Sequence, residues 1–257
     1  MSGSDIPDPS RPDVLGEYVR RNVTETQAGV PIVVDGQFIN VETCEPIPDL
    51  MWDLWHCNSS GVYAGVISNG NGNSADLSNI NNTFLRGLQP TDADGVAQFD
   101  SIFPGHYSGR ATHIHVVAHL NGTILENGTY AGGSIAHIGQ VFFDQDLITE
   151  VNLLSPYVDN TIAITENVDD RVVQAEVAND ADPFLDYVLL GETVADGLFM
   201  WITLGVNTSA TYNYSAAAEL TAGGGVELSS STTPSGNTTG NGTAPGNGTA
   251  PSGLPTS

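Results

Sequence analysis

The chain has no lysine, and its only strong cations are six arginines set against 30 acidic residues, for a formal net charge of -24. Phosphate neutralisation needs clustered Lys and Arg, so this composition argues against a nucleic-acid partner. The same field repels anionic membranes and, at long range, anionic substrates. No apolar run is long enough to span a bilayer, so no membrane span is expected. The first residues, MSGSDIPDPSRPD, hold no apolar h-region, and the expectation is that a leader has been removed. Cysteine is scarce too, with Cys44 and Cys57 the only two. A disulfide between them would close a loop of roughly a dozen residues and contribute on the order of 3 kcal/mol. Two buried free thiols are the alternative. Helix signals are sparse, with Asp144 to Leu154 and Pro183 to Leu190 each good for a turn or two.

What is present is strand punctuation. The runs GVPIVV, QFINVE, LMWDLWHC, GVYAGV, VAQFDSIF, THIHVVAHL, GQVFF and FMWITLGV are β-branched or aromatic, and Asp-Gly, Pro-Ile-Pro-Asp and Asn-Ser-Ser-Gly read as turns between them. The expectation is an all-β fold, an antiparallel β-sandwich with long loops, in one domain covering residues 29–218. Residues 1–28 read as an extended N-terminal arm. Residues 219–257 turn to Gly, Ser, Thr, Asn and Pro, with NGTAPG and NGTAPS as a short repeat, and read as a disordered C-terminal tail. Sequons at Asn22, Asn58, Asn81, Asn121, Asn127, Asn207, Asn213, Asn237, Asn241 and Asn247 suit a secreted, extracellular glycoprotein.

The chemistry concentrates in YSGRATHIH, residues 107–115. On a strand, residues two apart share a face, so His113 and His115 point one way and Ile114 the other, about 6.5 to 7 Å apart along the chain. Two imidazoles so placed suit two cis positions on one metal ion. Tyr107 stands six residues before the first histidine, and Tyr63 follows a strand and a turn in WHCNSSGVY. Two phenolates and two imidazoles form a hard, partly anionic set that favours ferric iron, whereas zinc more often takes Cys, His and carboxylate. Rim aromatics with their hydroxyls in water are the other reading of Tyr63 and Tyr107. His56, His106 and His119 read as structural or solvent-facing, and Trp52 and Trp55 as core.

The stretches GVPIVVDGQFINVETCEPIPDLMWDLWHCNSSGVYAGV, FDSIFPGHYSGRATHIHVVAH and AHIGQVFFDQDL resemble the intradiol ring-cleavage dioxygenases, in particular their secreted fungal-type branch with paired cysteines. The resemblance runs from about Val14 to Tyr214, and P-G-x-Y followed by R-x-x-H-I-H is its most specific part. It implies a transthyretin-like β-sandwich that holds non-haem Fe(III) and opens catechol-type aromatics with O2 to cis,cis-muconate-type products. The partners implied are a small aromatic diol and O2. By position Tyr63 matches the tyrosinate that stays bound, Tyr107 the one displaced by substrate, and His113 and His115 the histidine ligands. Arg110 matches the arginine beside the catecholate and Gln140 the glutamine lining the substrate side. The helical dimerisation segment of bacterial catechol enzymes has no counterpart in these stretches, so their dimer interface is not carried over by the resemblance. A competing reading is a catalytically inactive extracellular sandwich that kept the fold as a binding or surface protein.

Overall fold

The structure is a computed structural model in which residues 14–67, 73–213 and 216–228 are described. In chain order the strands are β1 (Val14–Leu15), β2 (Pro31–Asn40), β3 (Met51–Trp55), β4 (Arg86–Pro90), β5 (Val96–Ile102), β6 (His113–Leu120) and β7 (Thr123–Ile124). They continue as β8 (Tyr130–Ala131), β9 (Ser134–Phe142), β10 (Asp186–Leu189), β11 (Leu198–Val206), β12 (Ala218–Thr221) and β13 (Gly224–Glu227). Two short helices, α1 (Gln145–Val151) and α2 (Arg171–Ala178), lie between β9 and β10.

Two four-stranded sheets, β10-β11-β2-β5 and β4-β3-β6-β9, form the sandwich. Period-two burial builds the layer between them. Ile32, Val34 and Phe38 of β2 and Leu198, Met200 and Ile202 of β11 face Trp52 and Leu54 of β3 and Ile114, Val116 and Ala118 of β6 in one apolar core. At its centre Trp52 lies edge-on to Phe38 and Phe99, with centroids 5.4 and 5.0 Å away. The Asp35-Gly36 pair, expected as a turn, runs inside β2 instead. Gly36 is there for space, since a Cβ would stand 2.6 Å from Trp52 Cζ3. The pairing is not antiparallel throughout. β11 runs parallel to β2 from Leu198↔Ile32 to Val206↔Asn40, because the chain crosses through α1 and α2, enters this sheet as edge strand β10 and turns back into β11.

Several expected elements differ. Asp144 does cap α1, accepting from Asp146 N–H. Residues 183–190 give the edge strand β10 rather than helical turns, because pairing with β11 outweighs local preference. The segment 61–66 is a turn rather than a strand. Residues 218–227 pair as a hairpin, with β1 parallel to β12. Residues 229–257, most of the expected tail, lie outside the described residues.

The expected disulfide is corrected: both cysteines are free thiols. Cys44 is exposed in the turn after β2, where its N–H donates to Asn40 O. Cys57 is buried past the far end of β3, with Sγ 3.4 Å from Gly105 O. β3 lies between them as roughly 16 Å of extended chain, whereas a disulfide needs Cα atoms within about 7 Å. Burial pushes the Cys57 thiol up to about 12, opposed by hydrogen bonds from its own backbone and Gly105.

Candidate metal centre

Alternation in β6 sends Ile114, Val116 and Ala118 into the core and leaves His113 and His115 on the sheet's outer face. There His115 sits between Trp55 of β3 and Gln140 of β9, and His113 sits opposite Phe142. Trp55, expected only as core, also stacks flat on His115, with centroids 4.7 Å apart and planes 1° apart. His113 Nδ1 lies 2.6 Å from Ala111 O. The proton of that bond must sit on Nδ1, since a carbonyl only accepts, so the Nε2 lone pair is left for the site.

The tyrosines come down from loops over this face. Tyr63 lies in the turn after β3, and Asn79 Nδ2 ties that turn by donating to Tyr63 O (2.8 Å) and Val66 O (2.7 Å). The loop that bears Tyr107 passes directly against it at Gly61. There φ is +84° and the His106 carbonyl fills the place of a Cβ, so two requirements select glycine.

These elements bring four donor atoms together. Tyr63 Oη is 3.5 Å from Tyr107 Oη, 3.3 Å from His113 Nε2 and 3.2 Å from His115 Nε2. His113 Nε2 is 3.2 Å from Tyr107 Oη and 3.3 Å from His115 Nε2. Ligand atoms about 2.0–2.1 Å from a common centre stand roughly 3.3–3.4 Å apart in tetrahedral array, so the set fits a first-row transition-metal ion. All four residues are at most 5% exposed. Burial, and next the neighbouring Tyr107, push the Tyr63 hydroxyl well above the ordinary phenol range. A metal cation inverts that preference, and two phenolates suit a highly charged one. Among the described residues no group of three or more His, Cys, Asp and Glu suits a metal. The arrangement is legible only with tyrosine counted as a ligand.

Beside the donors, Arg110 Nη2 donates to Gln140 Oε1 in a short hydrogen bond. Arg110 Nε donates to Asp170 Oδ2 at 2.9 Å, in an ion pair whose side chains are 6% and 0% exposed. The same Asp170 oxygen accepts from Ala111 N–H at 2.8 Å, while Oδ1 caps α2 by accepting from Val172 and Val173 N–H at 2.8 and 3.1 Å. Burial alone would raise the Asp170 carboxyl; the Arg110 charge and these hydrogen bonds hold it below the usual carboxylate range. Sequence reading missed Asp170 and Asn79. Asp before Arg-Val-Val signals a helix N-cap, but nothing local ties it to Arg110. Of the other four histidines, three have partners outside the donor set. His56 bridges Cys57 O and Ser101 Oγ, His106 meets Ile162 O, and His119 stands 3.4 Å from Asp53.

Residues 15–181 match the family model described as Dioxygenase. Among solved structures, an intradiol ring-cleavage dioxygenase from Tetranychus urticae is similar at 25% identity, over 82% of this chain and 95% of that one, with a TM-score of 0.62. The catechol 1,2-dioxygenase of an Acinetobacter species shares the fold at 13% identity, over 84% of this chain and 69% of that one, with a TM-score of 0.51. No curated protein matches the chain.

Proposed function

The chain belongs to the intradiol ring-cleavage dioxygenase family, and from that premise we propose that it is an extracellular non-haem Fe(III) enzyme that cleaves catechol-type aromatics with O2 to cis,cis-muconate-type products. The spacing of Tyr63 Oη, Tyr107 Oη, His113 Nε2 and His115 Nε2, 3.2–3.5 Å between neighbours, carries this reading. Held by Tyr63, Tyr107, His113 and His115, ferric iron would supply Lewis-acid chemistry that makes a bound catecholate ring reactive toward O2.

The residues divide the remaining work. Tyr63 and Tyr107 supply negative charge in a dry pocket, and His113, locked by Ala111 O, presents a neutral nitrogen. The Tyr107 phenolate also serves as a base: its Oη takes a proton from a catechol hydroxyl as the substrate enters. Arg110, pinned through Nε to Asp170, keeps its far edge toward Gln140, beside His115, to face negative charge that develops on the ring. Trp55 covers the flat side of His115 and excludes water from it.

The extracellular assignment is supported by sequons whose asparagines are exposed, at Asn22, Asn81, Asn121, Asn127 and Asn213. Asn58 is a poorer acceptor because its amide donates to Gln27.

The test is a visible spectrum of the ferric-loaded protein, before and after anaerobic addition of catechol, followed by O2 uptake with labelled gas. A tyrosinate charge-transfer band that shifts with catechol, and product carrying both labelled oxygens, is the expected result. A protein that stays colourless with iron and consumes no O2 overturns the reading. Glycosidase-sensitive mass on protein recovered from the medium of a eukaryotic host checks the location.

A further inference from the structure

Resting on the reading of this site as a catechol-cleaving one, we infer that it is built for catechols whose ring carries no charged group, and that Asp170 sets this selectivity by cancelling the Arg110 guanidinium. A site that accepts a ring carboxylate must offer it an uncommitted cation, because an anion buried without a partner is strongly disfavoured.

This chain has little to offer. Lysine is absent from the whole sequence. Among the described arginines, Arg20 pairs with Glu25, Arg21 with Asp100 and Arg86 with the buried Glu17. Arg171, exposed on the first turn of α2, is likewise engaged.

Arg110 lies beside the donor cluster, bonded to Gln140 opposite His115, and its charge is already answered. The Asp170 carboxylate contacts Nε at 2.9 Å, and the pair is almost wholly out of water, where screening is weak. Asp170 in turn cannot turn toward solvent, since both of its oxygens are held by backbone N–H groups of Ala111, Val172 and Val173. The pair therefore presents the ring with directed N–H groups and little net positive charge. Directed donors stabilise a charge that spreads over the ring during reaction; they do not offset a full carboxylate that arrives with the substrate. Asp170 is thus a positioning residue for Arg110 and a determinant of substrate charge.

Two compounds of one ring separate charge from size: 3,4-dihydroxybenzoate and its methyl ester. With ferric-loaded wild type, the dissociation constant is read by anaerobic optical titration and kcat/KM by O2 uptake. The ester is expected to show a dissociation constant about tenfold or more below the acid's and a kcat/KM about tenfold or more above it. An acid that binds and turns over as well as the ester overturns the inference.

Asp170→Asn removes the charge and keeps the shape. It is expected to narrow the ester-to-acid ratio several-fold, a change that a merely structural role would not produce, since loosening alone lowers both compounds together. An unchanged ratio in folded Asp170→Asn protein overturns the role given to Asp170. If that variant does not fold, the wild-type pair still decides the selectivity. If neither compound nor catechol itself shifts the spectrum, it is the catechol-cleaving reading that has failed, and this inference falls with it.

Discussion

At the scale of single residues, the clearest contrast is between His56 and the histidines of the donor cluster. His56 is wholly enclosed, with Nδ1 2.8 Å from Cys57 O and Nε2 2.7 Å from Ser101 Oγ. Burial pulls its pKa down to about 4, against the raising effect of the hydrogen bond that it donates to Cys57 O and with a smaller lowering by Arg86. Because the folded value is depressed, the unfolded chain takes up a proton between about pH 6.5 and 4 that the folded protein refuses. Stability is therefore greatest above about 6.5 and falls through that window by on the order of 3 kcal/mol. Guanidinium unfolding of wild type and His56→Asn at several pH values isolates this contribution from the carboxylates. Equal slopes for the two proteins would show that His56 does not titrate this way. Tyr63 invites the opposite test. Tyr63→Phe is expected to abolish iron colour and turnover while leaving the far-ultraviolet circular dichroism intact, and an active variant would sink its assignment as ligand. Two of these roles were open to different degrees in the sequence. The alternation of His113, Ile114 and His115 dictates a shared face, whereas Tyr63 lies in an irregular turn where only the family resemblance marks it.

At the scale of elements, burial repeatedly overrides local signals. Asp-Gly is a strong turn signal, yet Gly36 continues β2 because the Trp52 ring occupies the space of its missing side chain. Gly36→Ala places a Cβ 2.6 Å from Trp52 Cζ3, and is expected to cost about 1–3 kcal/mol, read as a lower denaturant midpoint at unchanged slope. The cost should shrink in a Trp52→Phe background, which lacks those outer ring atoms; additive effects would show that the two do not contact as described. The helix α2 went unread for a different reason. Its sequence RVVQAEVA has a short apolar face, with only Val172 and Val173 buried, and its start depends on Asp170, whose other oxygen is committed sixty residues away at Arg110. Asp170→Ala removes the cap and leaves a buried guanidinium unanswered, so a loss of about 3–5 kcal/mol is expected in equilibrium unfolding. The cysteine pairing failed on the same ground. Spacing in sequence says nothing of the strand that separates the two thiols.

At the scale of the whole molecule, a net charge of -24 acts at two ranges that can be separated. The surface field is screened by salt, with a Debye length of about 30 Å at 0.01 M and about 3 Å at 1 M. The Arg110–Asp170 pair, 6% and 0% exposed, is not reached by that screening. For 3,4-dihydroxybenzoate, kcat/KM should therefore rise as salt is added, because the long-range repulsion of an anion is removed, while the neutral methyl ester should respond little. At high salt the ester should still lead, and the residual preference measures the site alone. Stopped-flow or O2-electrode rates across the salt series give both numbers from one protein. A preference that vanishes at high salt would place the discrimination on the acidic surface instead of at Asp170; one that ignores salt would place it wholly in the site.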